Sequence, residues 1–156
     1  ELNSAMLQLK KVLTSNLSMV KKKLPPNPWT VCVVPRAKAN LKPKQLLFRR
    51  AVKDVVGRFP KLFDGTDYIQ RHTNTYTTHL KRVESKMPNY KNDGDEPYPG
   101  ITRETCTLNP RIRNSHILLV DDIYTPRVYV DEDAIQSLLD LGAKSVVFYS
   151  VARTGG

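Results

Sequence analysis

Ile117-Leu118-Leu119-Val120-Asp121-Asp122-Ile123-Tyr124 is an apolar run that closes on two adjacent carboxylates. Four aliphatic residues in an unbroken row predict a strand buried on both faces, the pattern of a central strand in a parallel sheet. Paired charge does not belong in such an interior. The reading is therefore that the strand leaves the sheet at Asp121 and Asp122 and turns there toward solvent or a ligand. In open α/β sheets that carboxyl edge is where ligands bind.

The segments on either side support such a sheet. Trp29–Val34 reads as a short strand of aromatic and β-branched residues, followed by the basic turn Pro35-Arg36-Ala37-Lys38. The segment 45–56 reads as a helix, with Leu46, Leu47, Ala51, Val52 and Val55 on its apolar side and Gly57 and Pro60 after it. Asp67–Gln70 is a candidate second strand, the polar stretch Thr73–Val83 is helical in part, and Arg103–Leu108 is a further strand. Asp131–Leu141 reads as a helix in which Asp131 caps the start, Asp133 sits in the first turn and Gly142 ends it. Ser145–Val151 reads as the last strand. Strands alternating with helices predict a mainly parallel twisted α/β sheet with helices on both faces.

Upstream, Met6, Leu9, Leu13, Leu17, Val20 and Leu24 recur at spacings of three and four, one face of an amphipathic helix over 4–24. Lys21-Lys22-Lys23 suits its carboxyl end, and Pro25-Pro26 stops it. Its apolar stripe suits packing on the domain, and also a protein partner, a second copy of the chain or a membrane surface. The expected organisation is an N-terminal helix and Pro-rich link over 1–28, then one domain over 29–156. Within it, residues 84–101 hold three prolines and two glycines. They predict a mobile surface loop, either a plain insertion or a cover that closes over a ligand.

Composition narrows the partners. At 156 residues the chain suits one domain with its own core, and 40% hydrophobic with 26% charged residues is ordinary for a globular protein. The net charge of +10 and a pI near 9.7 favour polyanions such as nucleic acid, nucleotides or phosphates. No stretch has the length of a membrane span. Cys32 and Cys106 lie in strand-like runs and form no C-x-x-C pair, which suits reduced core thiols and a cytoplasmic setting. His72, His79 and His116 lack zinc-ligand spacing. Asp131, Glu132 and Asp133 could bind a metal, but a helix amino terminus explains such acids better. Lys42 and Lys44 lack the glycines of a phosphate-binding Walker loop.

The run Ile117–Tyr124 with Thr125 resembles the first part of the phosphoribosyl-pyrophosphate motif of type I phosphoribosyltransferases. Leu141-Gly-Ala-Lys-Ser-Val146 is similar to the helix and strand that follow that motif. The strand ending Val33-Val34-Pro35, the basic turn after it and the Arg71-x-Thr73 segment resemble the ComF-like, amidophosphoribosyltransferase-like branch. The resemblance covers about residues 29–153 and is specific around 117–125 and 141–151.

The resemblance implies a chemistry for each position. Asp121 and Asp122 would accept hydrogen bonds from the ribose hydroxyls and stabilise positive charge developing on the ribose. Thr125 and Arg127, with Tyr124 beside them, would face the 5-phosphate at a helix amino terminus. Arg36 and Lys38 would meet the diphosphate, which brings Mg2+ with it, so no protein group ligates the metal directly. Lys81 and Arg82 would flank the covering loop. The sequence departs from the family after Thr125, where Pro126, Arg127 and Tyr129 replace Thr, Gly and Thr. Proline removes an N–H and arginine resists positive φ, so the phosphate cradle is rewritten.

Three functions follow. One is a phosphoribosyltransferase. Another is a non-catalytic module sensing a nucleotide or ribose phosphate, of the kind the ComF-like branch implies through its links with DNA uptake and anti-phage defence. The last is an unrelated α/β nucleic-acid-binding domain acting through its basic surface.

Overall fold

A computed structural model describes residues 2–36, 46–73, 101, 105–124 and 130–154. In chain order the elements are α1 (Leu2–Lys23), β1 (Trp29–Val33), α2 (Leu47–Val56), β2 (Leu62–Asp64), β3 (Ile69–Arg71), β4 (Cys106–Leu108), a 3-10 turn (Pro110–Ile112), β5 (His116–Tyr124), α3 (Val130–Leu141) and β6 (Ser145–Arg153). Strands β2, β1, β5 and β6 form one parallel sheet in that order, and β3 and β4 form a separate antiparallel pair.

Alternation along the strands sorts the core into two layers. Val31 and Val33 of β1 and Leu118 and Val120 of β5 pack against Leu13 and Leu17 of α1 and Ala51, Val52 and Val55 of α2. Cys32, Ile117 and Leu119 face the other way, onto Ala134 and Leu138 of α3 and Ile69 and Cys106 of the β3–β4 pair. Burial of each such aliphatic side chain is worth about 1.5–3 kcal/mol. The expected architecture, a mainly parallel sheet with helices on both faces, is the one observed.

All six apolar positions spaced along the N-terminal helix pack on this same core. The Lys10 ammonium meets the Asp54 carboxylate of α2 at 2.8 Å, and the Asn16 amide donates to the Tyr149 hydroxyl of β6. The stripe on α1 is therefore covered by the chain's own sheet. The helix ends at Lys23, ahead of Pro25, as read from the sequence. Gly142 closes α3 with φ +113°, a conformation glycine adopts without a Cβ penalty, while the N–H groups of Gly142 and Ala143 bond back to the carbonyls of Leu139 and Leu138.

Three expectations are corrected. Strand β5 does not end at the acids: it runs through Asp121 and Asp122 to Tyr124 and keeps β6 as its neighbour as far as the Tyr124–Arg153 pair. The second strand of the main sheet is Leu62–Asp64, and the segment read as 67–70 belongs to β3 in the smaller sheet. Asp131 does not precede α3 as a cap, because the helix already begins at Val130. The stretch 74–83 and almost all of the loop 84–101 lie outside the described residues. Its last residue, Ile101, is buried against α3, and its carbonyl accepts the Ser137 hydroxyl at 3.0 Å.

Candidate functional site

The carboxyl edge of the sheet is built by unequal strand lengths. On the β1 side the ladder with β5 stops at Val33–Val120, one step beyond which the Val34 N–H donates to the Val120 carbonyl at 3.0 Å. Strand β5 then continues alone beside β6. Asp121 and Asp122 thus occupy the segment where β5 has lost one neighbour, and there a strand residue can be charged and still reach solvent.

The pair splits across the sheet. By alternation Asp121 follows Ile117 and Leu119 toward α3, and Asp122 follows Leu118 and Val120 toward the opposite face. Asp122 Oδ1 accepts the Ile123 N–H at 2.7 Å, and its Oδ2 lies 3.5 Å from the Arg36 guanidinium. Both side chains are roughly half exposed, so the contact is worth at most about 1 kcal/mol and is open to exchange with a ligand. Arg36 is held from behind, because the Arg71 guanidinium donates to its carbonyl. Arg71 in turn donates to the Thr73 carbonyl at 3.3 Å. Burial depresses the Arg71 pKa, with little consequence for a group that stays cationic.

Asp121 has a different environment. Its Oδ1 accepts the Asp122 N–H at 2.8 Å, and its carboxyl shares a hydrogen bond with that of Asp131 in the first turn of α3. Burial, then the Asp131 carboxyl, then the charge of Asp122 hold Asp121 protonated well above the usual carboxylate range. Asp131 is raised as well: burial dominates, the bond from Asp121 opposes it, and Glu132 and Asp122 add to it. Asp131 is buried, and its Oδ1 finds no hydrogen-bond partner among the described residues. Beside them the Tyr124 hydroxyl donates to Glu132 Oε2 at 3.2 Å. The Tyr124 ring lies edge-on to Phe148, with the Arg153 guanidinium 5.8 Å from its centre.

The structure brings Arg36, Asp121, Asp122 and Tyr124 to one edge. It joins Asp131 and Glu132 to them, which the sequence places in the first turn of a helix without a link to this edge. The signal was available: in a β–α–β unit the amino terminus of the helix lies over the carboxyl end of the strand before it. Lys38, Lys81, Arg82, Thr125 and Arg127 lie outside the described residues. Among the described residues no group of three or more His, Cys, Asp or Glu side chains could hold a metal ion. No helix among them is long and apolar enough to cross a membrane. Chemically, the edge offers a carboxylate acceptor and a guanidinium donor side by side, next to a protonated carboxyl.

No protein-family model matches the chain, and no curated protein matches it. Solved structures do. A hypoxanthine phosphoribosyltransferase from Staphylococcus aureus superposes with a TM-score of 0.50 at 10% identity, over 96% of this chain and 75% of that one. A hypoxanthine phosphoribosyl transferase of Trypanosoma cruzi gives a TM-score of 0.45 at 15% identity, over 99% of this chain and 76% of that one. At such identities the likeness is one of fold. With the bacterial structure as the measure, that fold is the type I phosphoribosyltransferase fold.

Proposed function

We propose that this chain binds a phosphorylated ribose, phosphoribosyl pyrophosphate or a nucleotide, across the carboxyl ends of β1 and β5. The observation that carries the reading is Arg36 facing Asp122 across the gap where β5 outruns β1. A ribose diol would take the Asp122 carboxylate, and a phosphate would take the guanidinium released from it. Lys38, two residues on in the basic turn, would add charge toward a diphosphate, and Mg2+ would arrive with that group. Thr125 and Arg127 would reach the 5-phosphate, and Lys81 and Arg82 would stand by the covering loop.

Binding without transfer is the form of this reading that the first turn of α3 favours. Asp131, Glu132 and Asp133 place carboxylates at the helix amino terminus, where the family's fold would offer N–H groups to a 5-phosphate. Phosphoribosyl transfer remains the second reading, supported by the retained acid pair.

Calorimetric titration with phosphoribosyl pyrophosphate and Mg2+ tests both. The parent chain should bind, and Asp122→Asn and Arg36→Gln should each weaken binding about tenfold or more, the loss of one charge-assisted hydrogen bond of about 1.5–3 kcal/mol. Absence of binding by the parent would sink the proposal. Pyrophosphate release with any of a panel of bases and amines would establish transfer in place of simple binding.

A further inference from the structure

Among the described residues, the excess positive charge lies at the other end of the sheet from this site. In a parallel sheet all strands start at one edge, and that edge is basic here. Lys61 immediately precedes β2, and its carbonyl accepts the Trp29 N–H at 3.1 Å. Lys144 immediately precedes β6, and its N–H donates to the Ser115 carbonyl, just before β5, at 2.9 Å. Arg113 lies against Gly142, and the Asn114 N–H bonds to the Gly142 carbonyl at 2.8 Å. On the far side, Lys21 sits over the Phe59 ring, which brings the end of α1, with Lys22 and Lys23, to the turn carrying Arg58.

These cations have little to neutralise them. Residues 21–29, 57–62, 109–116 and 141–145, the approaches to the four strands, contain no acid. Lys22, Lys23, Arg58, Lys61, Arg113 and Lys144 are exposed, and none is in a salt bridge among the described residues. Asp54, the nearest carboxylate on α2, is already bonded to Lys10. Of the described acids, Asp54 and Asp140 lie in the last turns of α2 and α3, where Asp140 accepts the Gln136 amide, and the others collect at the opposite edge, with Asp64, Asp67, Asp121, Asp122 and the first turn of α3.

We propose that the amino-terminal edge of the sheet is a docking surface for the phosphate backbone of nucleic acid, distinct from the carboxyl-edge site and independent of that site's ligand. From β2 to β6 the edge spans three strand spacings, about 14 Å. That is about four rises of 3.4 Å along one nucleic-acid strand. The surface is not the continuous apolar face by which a membrane-binding helix inserts. Trp29 is buried and Phe59 is partly buried, and the exposed large apolar residues near this edge, Met19 in α1, Phe63 in β2 and Leu139 in α3, stand on three separate elements. A row of solvated Lys and Arg with only scattered apolar residues between them suits a polyanion met in water.

The test is fluorescence anisotropy of labelled single- and double-stranded DNA and of RNA, with the full chain, between about 50 and 200 mM salt. The parent should bind with a steep salt dependence. Arg58→Gln/Lys61→Gln and Arg113→Gln/Lys144→Gln should each lower the log–log salt slope by about 1.4 on single strands and about 1.8 on duplex, two phosphate contacts apiece. Lys11→Gln/Arg50→Gln removes the same charge from exposed positions on α1 and α2 and should change the slope by less than half as much. Circular dichroism confirms that each variant is folded, and titration with phosphoribosyl pyrophosphate should be unchanged in the edge variants, which separates this site from the other. Equal losses in the edge and control variants would overturn the proposal. So would absence of binding at low salt, or retention by phosphatidylserine vesicles in preference to every nucleic acid.

Discussion

Replacing Asp131 by asparagine should stabilise the protein at neutral pH, although the substitution removes an acid from the first turn of a helix. The carboxyls of Asp121 and Asp131 share one hydrogen bond, which requires a proton between them. In the unfolded chain each releases its proton near pH 4. In the folded chain the proton is retained to higher pH, because burial and the neighbouring carboxylates oppose a second charge. Over the window between those two values the folded state binds more protons than the unfolded state. Stability therefore falls as pH rises through the window and is flat above it.

The size of the effect follows from contact distance. Two full charges about 4 Å apart at an effective dielectric near 20 repel by about 4 kcal/mol, a ceiling the protein avoids by keeping the proton. About half of that, ~2 kcal/mol, corresponds to about 4–8 °C in a chain of this size. An asparagine amide can donate to the Asp121 carboxylate without any proton uptake. The loss of a first-turn acid costs about 0.3–1 kcal/mol at every pH. Differential scanning calorimetry at pH 5 and pH 8 should then give crossing curves, with Asp131→Asn equal to or below the parent at pH 5 and several degrees above it at pH 8. A deficit of the same size at both values would refute the shared proton.

Gly65 should not tolerate alanine. A Cβ there would sit 2.5 Å from Thr30 Cγ2 and 3.1 Å from the Val31 carbonyl, which already accepts the Gly65 N–H. We expect a loss of about 1–3 kcal/mol, read as a lower urea midpoint with an unchanged slope. Cys32 should be silent to thiol reagents in the native chain, because burial, with a smaller push from Asp64, raises its thiol to about 12. Alkylation at pH 8 should modify Cys32 only after denaturant is added, and stoichiometric labelling without unfolding would contradict its burial.

The legibility of this fold from sequence depended on how much of each element is buried. Strand β5 and helix α1 announced themselves because long runs carry periodic apolar residues into the core. Strand β2 was missed because it is three residues long and only Leu62 is buried, which leaves no period to detect. The end of β5 was misplaced for a more instructive reason. The rule that charge ends a buried strand assumes neighbours on both sides. Here β5 keeps only β6, and Asp121 is carried protonated, so the strand continues through both acids. The role of Asp131 was hidden because a first-turn acid is satisfied by its own helix. Its second partner, Asp121, comes from a different strand and is set by topology, which no local pattern records.

The same topology sets a conflict at the site. Chain direction in a parallel sheet puts the amino terminus of α3 at the carboxyl edge and the carboxyl ends of α1, α2 and α3 at the amino edge. Acids in the first turn of α3 and Lys21–Lys23 in the last turn of α1 each complement their own helix dipole. Summed over the described residues, that local preference leaves one edge rich in acids and the other in bases. The anionic ligand proposed for the carboxyl edge would then meet a helix amino terminus already occupied by carboxylates. Among the described residues its affinity would have to come from side chains at the carboxyl ends of β1 and β5, with Arg36 the cation paired with Asp122. It follows that Asp131→Asn, the change expected to relieve the fold, should also strengthen phosphate binding at that edge. A variant stabilised at pH 8 but unchanged in affinity would mean that the phosphate lies away from α3, on the Arg36 side alone.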